Sequence, residues 1–133
     1  MLKGGEIMKL NPDCIRDILF TVEDTTSFSS YMSVNPEECN YEKLKSYSSE
    51  EILYHIKQCE LTGFLTKVSW YLNAHCLIHD LSPSGHKFIA DIRSDTNWNK
   101  TKEISKKIGS SSLDTLKQIS IGVVSELLKN QFT

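Results

Sequence analysis

Four histidines and four cysteines are the residues of this sequence best equipped for chemistry, and their spacing limits what they can do. His75, Cys76, His79 and His86, together with Cys59, form its densest set of metal-ligating types. Zinc sites draw on ligand pairs at C-x2-C or H-x3–5-H spacing, with a second pair elsewhere in the chain. That second pair is missing here. On an extended strand His75 and His79 also lie too far apart to share an ion. Surface histidines and a core Cys59 are the simpler reading, and no metal or other cofactor is expected. Ser84-Gly85-His86 brings a hydroxyl near an imidazole, but no acid is placed to orient His86, and Ser84 falls in a helix first turn. His86 reads instead as a structural residue packed under the preceding hairpin. Phosphate-binding loops have no support: Gly4-Gly5 sits at the extreme N-terminus, and Gly109 and Gly122 are isolated. No enzyme is expected.

A second set of residues suits recognition rather than catalysis. Ile52, Leu53, Ile56 and Cys59 make the apolar stripe of a helix over 49–62, which leaves Tyr54, Lys57, Gln58 and Leu61 on the opposite face. Lys67, Trp70, Tyr71, Asn73 and His75 follow within the next stretch. Read against DNA, Gln58 would meet adenine edges, while Lys57 and Lys67 would meet phosphates. Glu50 and Glu51 oppose this. They sit at the helix N-terminus, the part that normally enters the major groove, where carboxylates face the phosphate array.

The elements that must hold these residues are mostly legible. Asn11-Pro12-Asp13 caps and opens a first helix, with Ile15, Ile18, Leu19 and Val22 on one face, ending near residues 24–26. A short strand near Tyr31 to Val34 and a short helix near Tyr41 to Lys45 follow. Ser48 or Ser49 caps the helix that Gly63 ends. Runs 64–71 and 76–81 read as a β-hairpin turning at Leu72-Asn73-Ala74-His75. Ser82-Pro83 opens another helix with Phe88, Ile89 and Ile92 inward. Asp95 or Thr96 caps the next, with Trp98, Thr101, Ile104 and Ile108 inward and Gly109 at its end. Ser112 caps a last helix to about Lys129, with Leu113, Leu116, Ile119, Val123 and Leu127 in register.

Composition bounds the class. The 133 residues are 39% hydrophobic and 24% charged, which suits one soluble globular domain. Fifteen basic against seventeen acidic residues give a net charge of −2, so a domain-wide basic footprint for nucleic acid is missing. No apolar run is long enough to span a membrane, and no secretory signal is visible. The cysteines read as reduced thiols in a cytoplasm. Residues 1–7 read as leader: Lys3-Gly4-Gly5 can be encoded by AAAGGAGG, a ribosome-binding sequence, which places the translation start at Met8. Mass spectrometry of the natively expressed protein tests this, and a native N-terminus at Met1 contradicts it.

Helix, glycine, two apolar residues, hairpin, helix: the order over 48–92 resembles the winged helix-turn-helix fold. Residues 8–133 are accordingly expected to form a single α+β, mainly helical domain, a winged helix with a C-terminal helical extension. The wing spans about 64–81 and pairs as a two-stranded finger. A closer resemblance is carried by Met8-Lys9-Leu10-Asn11-Pro12-Asp13-Cys14-Ile15-Arg16-Asp17-Ile18-Leu19, by Ser49-Glu50-Glu51-Ile52-Leu53-Tyr54-His55 and by Gly85-His86-Lys87-Phe88-Ile89-Ala90-Asp91-Ile92-Arg93 followed by Trp98. These look like an uncharacterised family of Gram-positive bacteria and their phages. The resemblance implies a fold and a phage or prophage origin, not an activity. The family-type wing is usually shorter and more polar than Trp70-Tyr71-Leu72-Asn73-Ala74-His75-Cys76.

Two functions follow. The leading one, from the fold analogy, is a phage- or prophage-derived DNA-binding regulator that docks the helix 49–62 on double-stranded DNA. The near-neutral charge and the aromatic wing favour a non-enzymatic module that engages a host or phage protein. No membrane contact is expected. A homodimer is a further candidate, with Leu116, Ile119, Val123 and Leu127 at its seam, because the last helix is more apolar than one core face requires.

Overall fold

Asn11 shows how local chemistry starts this fold. Its side-chain oxygen accepts from the backbone N–H groups of Asp13 and Cys14, and Pro12, which lacks an N–H, takes the first helical position. Helix α1, Pro12–Thr25, then buries Cys14, Ile15, Ile18, Leu19 and Val22 along one face. These details come from a computed structural model that describes residues 8–132. The leader reading for residues 1–7 lies outside the described residues.

The expected short strand is present as β1, Met32–Val34, and the expected short helix as a single 3-10 turn, Glu42–Leu44, which buries Leu44. Helix α2, Ser49–Thr62, is capped by Ser48, whose Oγ accepts from the N–H of Glu51 at 3.1 Å. It ends at Gly63, whose φ of 88° lies in the left-handed region that glycine enters without strain.

The hairpin forms from β2, Val68–Trp70, and β3, Cys76–Ile78. Its ladder runs past both strands, with Thr66 N–H bonded to Asp80 O and Ser82 N–H to Phe64 O, each at 2.9 Å. It is not a free two-stranded finger, however. β1 pairs antiparallel with β3, so the sheet has three strands in the order β1-β3-β2. Alternation explains why. Met32 and Val34 lie on the same side as Ile78, Cys76 and Val68, and all five are buried, so β1 supplies apolar cover that two strands lack.

Helix α3, Pro83–Asp91, opens under Ser82, whose Oγ accepts from the Gly85 N–H at 3.0 Å. Helix α4, Asp95–Ile108, is capped by Ser94 rather than by Asp95 or Thr96. Ser94 and Asp95 are both strong cap types, and the chain turns helical one residue sooner than expected. Helix α5, Leu113–Gln131, is capped by Ser112 as expected. Two inward assignments fail. Ile108 is 60% exposed in the last turn of α4, and Ser105 takes the inward position. Its hydroxyl meets that of Ser111 at 3.1 Å, which satisfies the buried oxygen. His86 is exposed and does not pack under the hairpin, because Gly85, Phe88, Ile89 and Ile92 fill the buried positions of α3.

The described residues cluster into two compact units, divided between Gly85 and His86. The first is α+β and holds α1, β1, α2 and the hairpin. The second is wholly helical, and its pair α4 and α5 buries Trp98, Thr101, Ser105, Leu113, Leu116, Ser120 and Val123. The whole chain is thus mainly helical, with five α-helices and one small antiparallel sheet among the described residues.

Candidate interaction surface

The start of α1 is locked to α2 by a buried histidine. The Asn11 backbone N–H donates to His55 Nε2 at 2.8 Å, and His55 Nδ1 lies 2.7 Å from the Glu51 carbonyl. Nε2 accepts from the Asn11 N–H, and Nδ1 is placed to donate to the Glu51 carbonyl. Glu51 Oε2 also accepts from Asn11 Nδ2 at 3.2 Å. These contacts fix the rotation of α2 and turn Tyr54, Lys57 and Leu61 to solvent, with Gln58 half-buried.

Lys57 already has an acidic neighbour on its own helix. Its Nζ lies 3.3 Å from Glu60 Oε1 and 5.3 Å from the centre of the Trp70 ring. The same Glu60 oxygen accepts from Trp70 Nε1 at 2.9 Å. Trp70 therefore folds back on α2 instead of projecting from the hairpin. The sequence signal was available: Trp70 shares its strand parity with buried Val68, and Glu60 stands three residues after Lys57.

The exposed tip is Tyr71 and Leu72, the latter 90% exposed. Leu72 does not stand out in the sequence, where it is one residue of a turn. Asn73 and Ala74 close the turn with φ of 72° and 60°. Asn tolerates that region, but Ala74 there is strained by its Cβ. Strain held at an exposed apolar tip is the kind of feature that gathers at binding sites.

His75 and His79 lie on the outer face of β3, each beside a serine: Ser33 Oγ at 3.0 Å and Ser69 Oγ at 3.3 Å. Tyr31 stacks on His79 with ring centres 3.9 Å apart. Cys76 faces the other way, into the core, so the strand itself separates His75 from Cys76. Burial pushes the Cys76 thiol up to about 12, with the Glu60 charge adding to the effect. Cys14 is pushed up to about 12 by burial first and by Glu51 and Asp17 after it. Cys59 is pushed up as well, chiefly by burial. Thiols held protonated in this way are poor ligands and poor nucleophiles. Ser84 Oγ is buried with no hydrogen-bond partner among the described residues, and His86 is exposed, so the two do not form a pair.

Charge is unevenly spread. Residues 8–85 hold six lysines and arginines against eleven aspartates and glutamates. Residues 86–132 hold eight against five. Within the hairpin, Lys67 is exposed and is its sole lysine or arginine.

In the second unit, the four residues read as a dimer seam separate. Leu116 is 0% exposed and Val123 is nearly as buried, so both belong to the protomer's own core. Ile119 is half-buried and Leu127 is 47% exposed. With Ile104 and Val123 they floor a groove of about 490 Å³ between α4 and α5.

Comparison with known proteins places the chain without assigning it an activity. Residues 9–112 match the family described as hypothetical protein (DUF2513). An uncharacterized protein of Haemophilus influenzae is 32% identical over 124 residues, covering 91% of this chain and 99% of the relative. No solved structure matches.

Proposed function

The chain belongs to the DUF2513 family of hypothetical proteins, and we propose that it is a non-enzymatic protein-binding module on a winged-helix scaffold. The order α1, β1, α2, hairpin supports the scaffold, as does a short first strand laid against the hairpin. The phage or prophage origin in this reading rests on the sequence resemblance. The hairpin tip and the exposed face of α2 make the contact surface, through Tyr54, Leu61, Tyr71 and Leu72. Exposed aromatic and aliphatic side chains of this kind anchor protein interfaces.

One observation carries the choice over DNA. The single lysine of α2 is already held by Glu60 and Trp70, on a unit with an excess of five acidic charges. A duplex would meet Glu50 and Glu51 first, and counterion release would have few cations to draw on. The acidic field instead favours a partner protein with a basic rim around an apolar pocket. The DNA regulator, which led on the sequence alone, is the second reading. It is favoured by the helix-hairpin order and by the outward Tyr54 and Lys67.

A photoreactive benzophenone side chain at position 72 of the full chain, expressed in its native host, tests the module. The expected result is one discrete protein adduct, weakened about tenfold or more by Tyr71→Ala, as for an interface hot spot. Crosslinking to nucleic acid alone would contradict it.

A further inference from the structure

The groove between α4 and α5 has a composition that matches itself. Its floor is apolar: Ile104, Ile119, Val123 and Leu127. One wall carries Lys100 from α4 and the other Glu126 from α5. Both side chains belong to exposed residues, and neither forms an ion pair among the described residues. On the α5 wall, Gly122 opens onto free space, with no atom within 4 Å of where a Cβ would stand. A small residue at that point lets a second helix come close.

From this arrangement we infer that the groove is filled by a second copy of the chain. A two-fold axis running along the groove sets α4 of one copy over α5 of the other. Lys100 lies eight residues before the end of α4 and Glu126 thirteen after the start of α5, an offset of about 7 Å along the groove that two long side chains bridge. Each Lys100 then meets the Glu126 of the other copy, and the apolar floors close on each other. The result is a four-helix arrangement of the kind that two such helix pairs form. The end of α5 adds to it, because Leu127, Leu128 and Phe132 are exposed there. A foreign helix could fill the apolar floor, but it would need its own cation and anion at matching positions. A second copy supplies both by symmetry.

This inference is independent of what the first unit binds. Sedimentation equilibrium of the full chain tests it. The wild type is expected to be a dimer in the micromolar range. Lys100→Glu and Glu126→Lys are each expected to weaken it about tenfold or more, as for close interfacial charge pairs, with the circular dichroism spectrum unchanged. Mixing the two single variants restores both attractive pairs, so a one-to-one dimer should form from chains that are monomeric apart. The double variant should dimerise like the wild type. A wild type that is monomeric throughout, or a dimer indifferent to both reversals, overturns the inference, as does failure of the mixture to associate.

Discussion

The two units differ in charge, in cysteine content and in how they use apolar surface. Residues 8–85 are acidic, hold all four cysteines and expose Tyr71 and Leu72 on a strained tip. Residues 86–132 are basic, hold no cysteine and expose their apolar side chains along a groove and a helix end. The unit whose element order prompted the DNA reading thus carries the charge least suited to that task. Fold likeness places a helix and a hairpin; the charge on them decides what they can hold.

Substitutions can press on this contrast. The largest effect is expected at Gly85. A Cβ there would run into the Phe64 carbonyl, which is backbone and cannot step aside cheaply. Gly85→Ala should cost about 3 kcal/mol or more in urea unfolding. Amide exchange should quicken more over 12–81 than over 95–131, and equal quickening would erase the distinction between the units.

Next in size is a pair in α5. Leu116→Ala should cost about 2–5 kcal/mol because it empties a fully buried site, whereas Leu127→Ala should cost well under half of that. Equal costs at protein concentrations where the chain is monomeric would put Leu127 in the protomer core. At the hairpin tip, Ala74→Gly should stabilise by about 1 kcal/mol, read as a raised melting temperature, since it relieves a positive φ. No gain would mean that the tip is unstrained.

A test by pH reads the first unit alone. Cys14 and Cys76 titrate near 12 when folded, against an ordinary value of 9.0. The folded state therefore holds protons that the unfolded chain gives up first. The stability this confers is complete below pH 9.0 and is lost as pH rises through about 12. Thiol titration at pH 8 should find only the exposed Cys39 reactive in the folded protein and all four thiols after unfolding. With Trp70 in one unit and Trp98 in the other, single-tryptophan variants should show alkaline loss in the Trp70 signal first.

Much of the fold was readable because its signals are local. Asn11-Pro12, Ser48, Gly63, Gly109 and Ser112 act within one turn of themselves, and each marks a boundary where expected. What escaped depends on distant partners. β1 joins β3 across more than forty residues, and nothing near Met32 announces it. His55 reads as one more helix residue until Asn11 is seen to donate to it. The candidate surface was legible as a set of exposed residues on α2. It was not legible as chemistry, since the engagement of Lys57 by Trp70 requires the hairpin to fold back.

The central claim is that the acidic unit recognises protein rather than duplex DNA. Titrating the full chain into labelled random and genomic duplexes at about 50 mM and again at about 200 mM salt tests it most directly. The account predicts no binding at micromolar protein in either condition. Binding that weakens steeply with salt, and whose salt slope flattens in Lys57→Ala and Lys67→Ala, would contradict it.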